Sequence, residues 1–415
     1  MWTALRVGSL IGFRQIQRSN IWTTALIIFI MMLTFLNLVG VSGILIGLIE
    51  GSVQANRQQY SGNVIFTTPS GDSFIENSNN ILATIKNTPE VASFTPRFLG
   101  SASVEANYNT RRDPSALRDT VGSQVTGIDP LAEDNVTHLS KYVVEGQYLA
   151  PGDDNEVLLG SNLLQRFSAD FGDSFATLDN IYPGTKVKIT ANGKTKEYTV
   201  KGIVKTKVDQ TSIRIFMTNQ EFVRLFDRNN LNINEVAVMA KTGVSEDLLK
   251  DIFVRDGLEN TARIRTSNEA IPQFLNNIKL AFNLLGNIIG SIGIIVASIT
   301  IFIIIFINAI TRRKYIGILK AIGIEARSIQ FAYILQSLFY ALSGALLGLI
   351  ILYAILVPAL NAHPINFPFS DGILVAPIGS VMFKFFLLML VTFLAGFIPA
   401  SMIIKKNTLD SILGR

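Results

Sequence analysis

Thr311-Arg-Arg-Lys-Tyr-Ile-Gly-Ile-Leu-Lys-Ala-Ile-Gly323 lies between two long apolar runs, Ile288–Ile307 and Ile329–Val357. Arg312, Arg313, Lys314 and Lys320 accompany Ile316, Leu319 and Ile322 at helical spacing, and Gly323 supplies a stop. The segment reads as a short basic amphipathic helix. A loop that only had to reverse the chain would have no use for apolar residues at that spacing. Such a stripe beside positive charge suits docking onto a soluble partner; the alternative is a helix lying on lipid headgroups.

The flanking runs say what solvent the chain is built for. Both are about 20 residues or longer, as are Ile21–Ile49 and Ile378–Ile404, the length that a ~30 Å hydrocarbon core demands of a helix. Composition agrees, with 49% hydrophobic and only 16% charged residues and a mean hydropathy of +0.38. Ile21–Ile49 is about twice a signal-peptide core, so it is expected to be retained as span one. Pro358 is expected to close the third span and Pro377 to open the fourth, where a missing N–H does no harm. Lys384, near one end of the fourth span, is read as snorkelling to the interface.

Orientation follows from the short flanks. Arg6, Arg14 and Arg18 precede span one, the quoted basic segment and Arg327 separate spans two and three, and Lys405, Lys406 and Arg415 follow span four. The loop from Ala359 to Ala376 has no Lys or Arg. Positive residues stay cytoplasmic, which puts both termini inside the cell and everything from about residue 50 to 270 outside. The net charge of +5 is thus a topology signal, and no nucleic-acid partner is expected.

The expected division is a cytoplasmic amphipathic helix (1–20), span one (21–49), an extracytoplasmic domain (50–270), a stalk with span two (271–310), and the basic cytoplasmic helix (311–327). Span three (328–358), a short outside loop (359–376), span four (377–404) and a cytoplasmic tail (405–415) complete the chain.

The inserted segment is polar, and roughly 220 residues is too long for a structureless loop. Asn63–Thr68, Lys186–Thr190 and Lys196–Val204 read as strands, with Asn192-Gly193 as a two-residue hairpin turn. Ser78–Lys86, Gly160–Phe167, Thr218–Phe226 and Ser245–Arg255 read as helices. The fold class is therefore a membrane α-helical protein with four transmembrane helices and an α+β extracytoplasmic domain inserted between spans one and two.

Span two starts early. Ile271, Phe274, Leu275, Ile278, Phe282, Leu285 and Ile289 recur at helical spacing opposite Gln273, Asn276, Asn277, Lys279 and Asn283. A helix from Pro272 to Ile310 would run roughly 58 Å, almost twice the hydrocarbon thickness. The excess is expected to form a stalk with the end of span one. Gly286, Gly290, Gly293 and Ala297, with Gly344 and Gly348 in span three, permit close helix packing, either within the chain or between subunits.

Several chemistries lack parts. The chain has no cysteine, which removes disulfides, thiolate metal sites and thiol nucleophiles. His138 and His363 lie outside any metal-ligand spacing, so no metal site is expected. Gly193-Lys194-Thr195 imitates the end of a phosphate-binding loop, but the glycine required five residues earlier is Lys188. Asp153-Asp154 beside Pro151-Gly152 reads as a turn, not as a catalytic pair.

The quoted segment resembles the basic signature of the FtsX-like permeases, the MacB type of ABC transporter, through Arg312, Arg313, Ile316, Gly317, Ile318, Leu319, Lys320, Ala321, Ile322 and Gly323. Tyr315 stands where that family usually has an acidic residue, and Gln336 where span three often carries glutamate. Further similarity follows in order: the basic segment before span one, Val125–Asp129, Val144–Gln147, Glu156–Gly160, Tyr198–Gly202, and Pro399-Ala400 before the basic tail.

The resemblance implies a non-catalytic permease subunit of the bacterial inner membrane, related to LolC and LolE. It would pair with a second copy or a paralogue, and bind a cytoplasmic ABC ATPase through Arg312, Arg313, Lys314, Ile316, Gly317, Leu319, Lys320, Ala321 and Gly323. No cofactor is expected in this chain, because ATP and magnesium would sit in the partner. Motor closure would travel along a stalk containing Phe274, Ile278, Phe282 and Leu285 to the outside domain, driving export or extraction, with or without a periplasmic adaptor. The alternatives are a transmembrane regulator of a cell-wall hydrolase and a membrane-anchored enzyme.

Overall fold

The computed structural model describes residues 2–109, 118–167, 176–363, 367, 370 and 374–404. Helix α1 (Trp2–Gln17) leads into α2 (Ile21–Asn56), and a wide π turn, Arg57–Ser61, extends α2 without a break. Two compact units result. One holds Met1–Ile49, Asn276–Asn366 and Gly372–Arg415; the other holds Glu50–Leu275 and Phe367–Asp371.

The second unit is the α+β domain, built on β1 (Val64–Thr67), α3 (Ser78–Asn87), β2 (Val91–Glu105) and β3 (Thr120–Ile128). Then come α4 (Pro130–Thr137), β4 (Val143–Gly146), β5 (Glu156–Gly160), β6 (Lys186–Ala191) and β7 (Lys194–Val204). The short α5 (Asp209–Ser212), β8 (Arg214–Thr218), α6 (Asn219–Phe226), β9 (Glu235–Ala240), α7 (Glu246–Arg255) and β10 (Arg263–Thr266) complete it. The strands join in the order β10-β1-β9-β2-β3-β8-β5-β7-β4, and β6 pairs with both β2 and β7. The strands β2, β3, β8, β5, β7 and β6 therefore close a ring. Long β2 serves both parts: Val91–Arg97 pairs with β9, and Phe98–Glu105 with β3.

Local chemistry accounts for these elements. Asn192 and Gly193 both take positive φ, 49° and 78°, as a two-residue turn between Ala191 and Lys194 requires. Thr218 and Ser245 cap α6 and α7 by accepting the backbone N–H of Glu221 and Leu248. Asp153 closes the expected turn and pairs with Lys201 at 2.5 Å. The single helix expected over Gly160–Phe167 is a correction. Gly160 ends β5, and two 3₁₀ turns, Ser161–Leu163 and Gln165–Phe167, flank an extended Leu164. Leu163 and Leu164 are both buried, and Leu164 bridges Leu178, which one helical face could not satisfy.

The remaining helices are α8 (Gln273–Thr311), α9 (Arg313–Ala321), α10 (Ala326–Ile351), α11 (Val357–Ala362) and α12 (Ile378–Ile404). Among the described residues, four stretches are long and apolar enough to cross a membrane: Ile21–Ser61, Leu280–Thr311, Ala326–Ala362 and Ile378–Met402. Pro358 does not close the third. A π turn at Leu352–Leu356 joins α10 to α11, and Pro358 sits in the first turn of α11. Widening the helix just before a residue that lacks an N–H lets the chain continue to Ala362.

The membrane unit packs around Met31, Phe35, Ile301, Ile305, Tyr333, Tyr340 and Leu388. Its glycines mark close approaches within the chain. A Cβ on Gly344 would lie 2.6 Å from Met31 Cβ and 2.9 Å from Ile28 O, so α10 and α2 meet backbone to backbone. Gly348 faces Phe35, and Gly286, Gly290 and Gly293 of α8 face Leu45, Leu38 and Asn37 of α2. On α1, Gly8 and Gly12 admit Ser328 and Ala332 of α10, while Leu10 and Phe13 stay exposed. The small-residue faces thus serve packing inside one chain.

Candidate coupling site and helix anchor

α9 starts after Arg312 and ends in a two-bond stop: Gly323 N–H donates to Lys320 O and Ile324 N–H to Leu319 O, with Gly323 at φ +92°. The sequence suggested one stripe of Ile316, Leu319 and Ile322. The structure separates them. Ile316, 3% exposed, is part of the bundle core, Gly317 is buried, and Leu319 packs against that core. The apolar side chains left outward are Tyr315 (69% exposed), Ile318 (50%) and Ile322 (70%). Lys314, Ala321 and Gly323 are exposed beside them, and Arg312, Arg313 and Lys320 are half-buried. One side of α9 is therefore bolted to the spans, and the other presents an apolar patch edged with positive charge.

The stalk residues are divided too. Ile278 and Phe282 are half-buried, Leu285 is exposed, and Phe274 lies in the first turn of α8. α8 meets α2 through its glycines, a quarter-turn from the face expected. Leu280, Leu284 and Ile288 stand exposed on the other side.

A cluster the sequence reading missed lies where α2 ends. Tyr60, in the π turn, donates its hydroxyl to Glu235 Oε1 at 2.9 Å, and its carbonyl accepts from Arg97 Nη2 at 2.8 Å. Arg214 grips Glu235 with two 3.0 Å bonds. Arg97 grips Glu133 of α4 at 2.6 and 2.8 Å, and Thr95 and Thr137 also donate to Glu133. Both guanidinium groups lie over the Tyr60 ring, 5.4 and 5.1 Å from its centroid. All of these residues are buried.

Two arginines and two glutamates balance, which is what permits burial. Burial alone would raise the Glu235 carboxyl, but Arg214 and then Arg97 hold it down at about 2. The legible signal was charge at strand positions: Arg97 in β2 and Arg214 in β8 stand between apolar neighbours, and Glu235 opens the apolar run of β9. Only the register shows that Arg97 and Glu235 face each other across β2 and β9.

The same region holds the loop after α11. Gln59 Oε1 accepts the Lys207 N–H at 2.7 Å, Thr211 Oγ1 donates to Gln59 O, and Lys207 Nζ donates to Phe367 O at 2.6 Å. Phe367 is thereby held by the α+β domain. Asn56 Nδ2 donates to Ser267 O at 2.8 Å, tying the end of α2 to the segment before α8.

A four-span bundle with an α+β insertion after span one and a basic helix after span two defines a class of membrane permease. The chain matches the model of the MacB-like periplasmic core domain over residues 28–254 and that of the FtsX-like permease C-terminal region over residues 287–408. It belongs to the FtsX-like, MacB-type family of ABC transporter permeases.

Among its relatives is an ABC transporter permease of Methanocaldococcus jannaschii, 25% identical over 66% of this chain and 65% of that one. The lipoprotein-releasing system transmembrane protein LolC of Neisseria meningitidis is 19% identical over 77% of this chain and 76% of that one. Similar solved structures include the periplasmic region of MacB from Actinobacillus actinomycetemcomitans, at 16% identity and TM-score 0.34, covering 55% of this chain and 97% of that one. The extracellular domain of the transporter YknZ from Gram-positive bacteria is 13% identical with TM-score 0.31, over 49% and 98%.

Proposed function

We propose that this chain is the non-catalytic subunit that converts ATP hydrolysis by a separate cytoplasmic ATPase into movement of its own outside domain. The observation that carries this reading is the two-sided α9. A helix seated in the bundle core through Ile316, yet showing Tyr315, Ile318 and Ile322 to solvent, passes a push on its outer face to the spans. α2 then runs unbroken from the span to the buried cluster at Tyr60, so displacement of one end is felt at the other. In this scheme α9 and both termini lie in the cytoplasm, and the Glu50–Leu275 domain lies outside.

A second permease copy or a paralogue would cover the exposed apolar face of α8. Leu280 and Leu284 lie in the part of that helix in excess of the ~30 Å hydrocarbon core, where protein rather than lipid must shield them. Similarity to LolC, the transmembrane protein of a lipoprotein-releasing system, favours a lipid-anchored cargo.

The test is co-expression with the ATPase encoded beside this chain. A complex surviving detergent purification is expected, and Tyr315→Asp with Ile318→Asp should abolish it while leaving the permease folded. A complex that persists in that double variant would show that the motor grips elsewhere. Labelling of α9 from outside intact cells would reverse the orientation.

A further inference from the structure

Lys384 is the single charged residue in the four apolar runs Ile21–Ile49, Ile288–Ile307, Ile329–Val357 and Ile378–Ile404. It lies two turns into α12, about 10 Å from the Ile378 end. α12 is roughly 40 Å long, some 10 Å more than the hydrocarbon core, so Lys384 falls near the edge of that core. Helical side chains lean toward the N-terminus, which aims this ammonium at the headgroups of that leaflet.

The ammonium does not swing freely into water. It is half-buried and donates to Ser42 Oγ of α2. Next to Ser42, the carbonyl of Gly43 accepts the Val375 N–H at 3.1 Å, and a Cβ on Gly43 would lie 2.9 Å from Leu374 Cδ1. Tyr353 of the α10–α11 helix donates to Ala376 O at 3.0 Å. The segment 374–376 is thereby fastened to α2, beside Ser42, and to the α10–α11 helix. Ser42 can take one of three ammonium protons.

No carboxylate pairs with Lys384 among the described residues, and the four apolar runs contain none. Glu50 lies eight residues further along α2, about 12 Å beyond Ser42. A positive charge held at the edge of hydrocarbon with no counter-charge among the described residues is stabilised by an external one. At that depth the available anion is the phosphate of a lipid. A zwitterionic lipid brings its own cation, whereas one with net charge −1 neutralises the site.

We propose that Lys384, positioned by Ser42, whose own hydroxyl is donated to Leu38 O and Val39 O, binds the phosphate of an anionic phospholipid seated against α2 and α12 in the leaflet at the Ile378 end. The site is independent of the motor reading and stands whether or not α9 meets an ATPase.

The test is native mass spectrometry of the purified full chain with dioleoyl phosphatidylglycerol, dioleoyl phosphatidylcholine, or sodium phosphate. Retained phosphatidylglycerol is expected, with roughly tenfold loss in Lys384→Met, as for removing a hydrogen bond to a charged group. Lys384→Arg should keep it, and Ser42→Val should lose it several-fold. Equal retention of phosphatidylcholine overturns the anionic class. Displacement by sodium phosphate overturns the lipid source. Unchanged retention in both Lys384→Met and Ser42→Val overturns the site itself.

Discussion

The Tyr60 hydroxyl and Glu235 Oε1 are joined by a 2.9 Å hydrogen bond, which ties the π turn after α2 to β9, an interior strand of the α+β sheet. Glu235 is in turn held by Arg214 and sits opposite Arg97, so the helix end is fixed to three strands and, through Glu133, to α4.

Removing one member should therefore be costly. Glu235→Ala leaves two buried guanidinium groups without their shared carboxylate and should destabilise the domain by about 3–5 kcal/mol. Tyr60→Phe removes one bond to a carboxylate that keeps its arginines and should cost about 1.5 kcal/mol. Urea unfolding of the full chain in detergent reads both. Equal midpoints for Glu235→Ala and the parent would mean that the cluster holds nothing together.

The same cluster sets a pH dependence. Glu235 is held at about 2 against an ordinary 4.5, so its ionised form favours folding. That contribution is complete above pH 4.5 and is lost as pH falls through about 2. Domain stability should be flat with respect to Glu235 above roughly pH 5. The acid limb should be shallower in Glu235→Gln, and an unaltered limb in that variant would reassign the acid transition.

On α9 the two sides should respond differently. Ile318→Asp changes the exposed face and should weaken ATPase capture by roughly tenfold or more with an unchanged melting temperature, because it removes interface anchors rather than core. Ile316→Asp places a charge in the bundle core and should lower the melting temperature of the permease alone. Melting curves with and without the ATPase separate the two outcomes, and an identical response would contradict the two-sided reading.

The glycines of the bundle should also be unequal. A Cβ at Gly344 meets backbone at 2.9 Å, from Ile28 O and Met32 N, whereas one at Gly290 meets only the tip of Leu38 at 3.3 Å. Gly344→Ala should cost about 1–3 kcal/mol by overpacking, and Gly290→Ala little. Thermal unfolding of the two variants compares them directly, and the reverse ranking would contradict the α2–α10 contact.

Much of this protein was readable along the chain because its determinants are local. Twenty-residue apolar runs, the Asn192-Gly193 turn and the spacing in Thr311–Gly323 each act through neighbours in sequence, and each announced its element. What only the tertiary structure decided is which side of an element is used. Ile316 and Ile318 are equally apolar and two residues apart, and nothing local says that the first joins the core and the second stays outside. Pro358 looked like a terminus until a π turn absorbed it. Arg97, Glu133, Arg214, Glu235 and Tyr60 are scattered over 176 positions, from Tyr60 to Glu235. Their charges cancel only when strand register and the end of α2 bring them within hydrogen-bonding distance, and that long-range pairing has no periodicity to betray it.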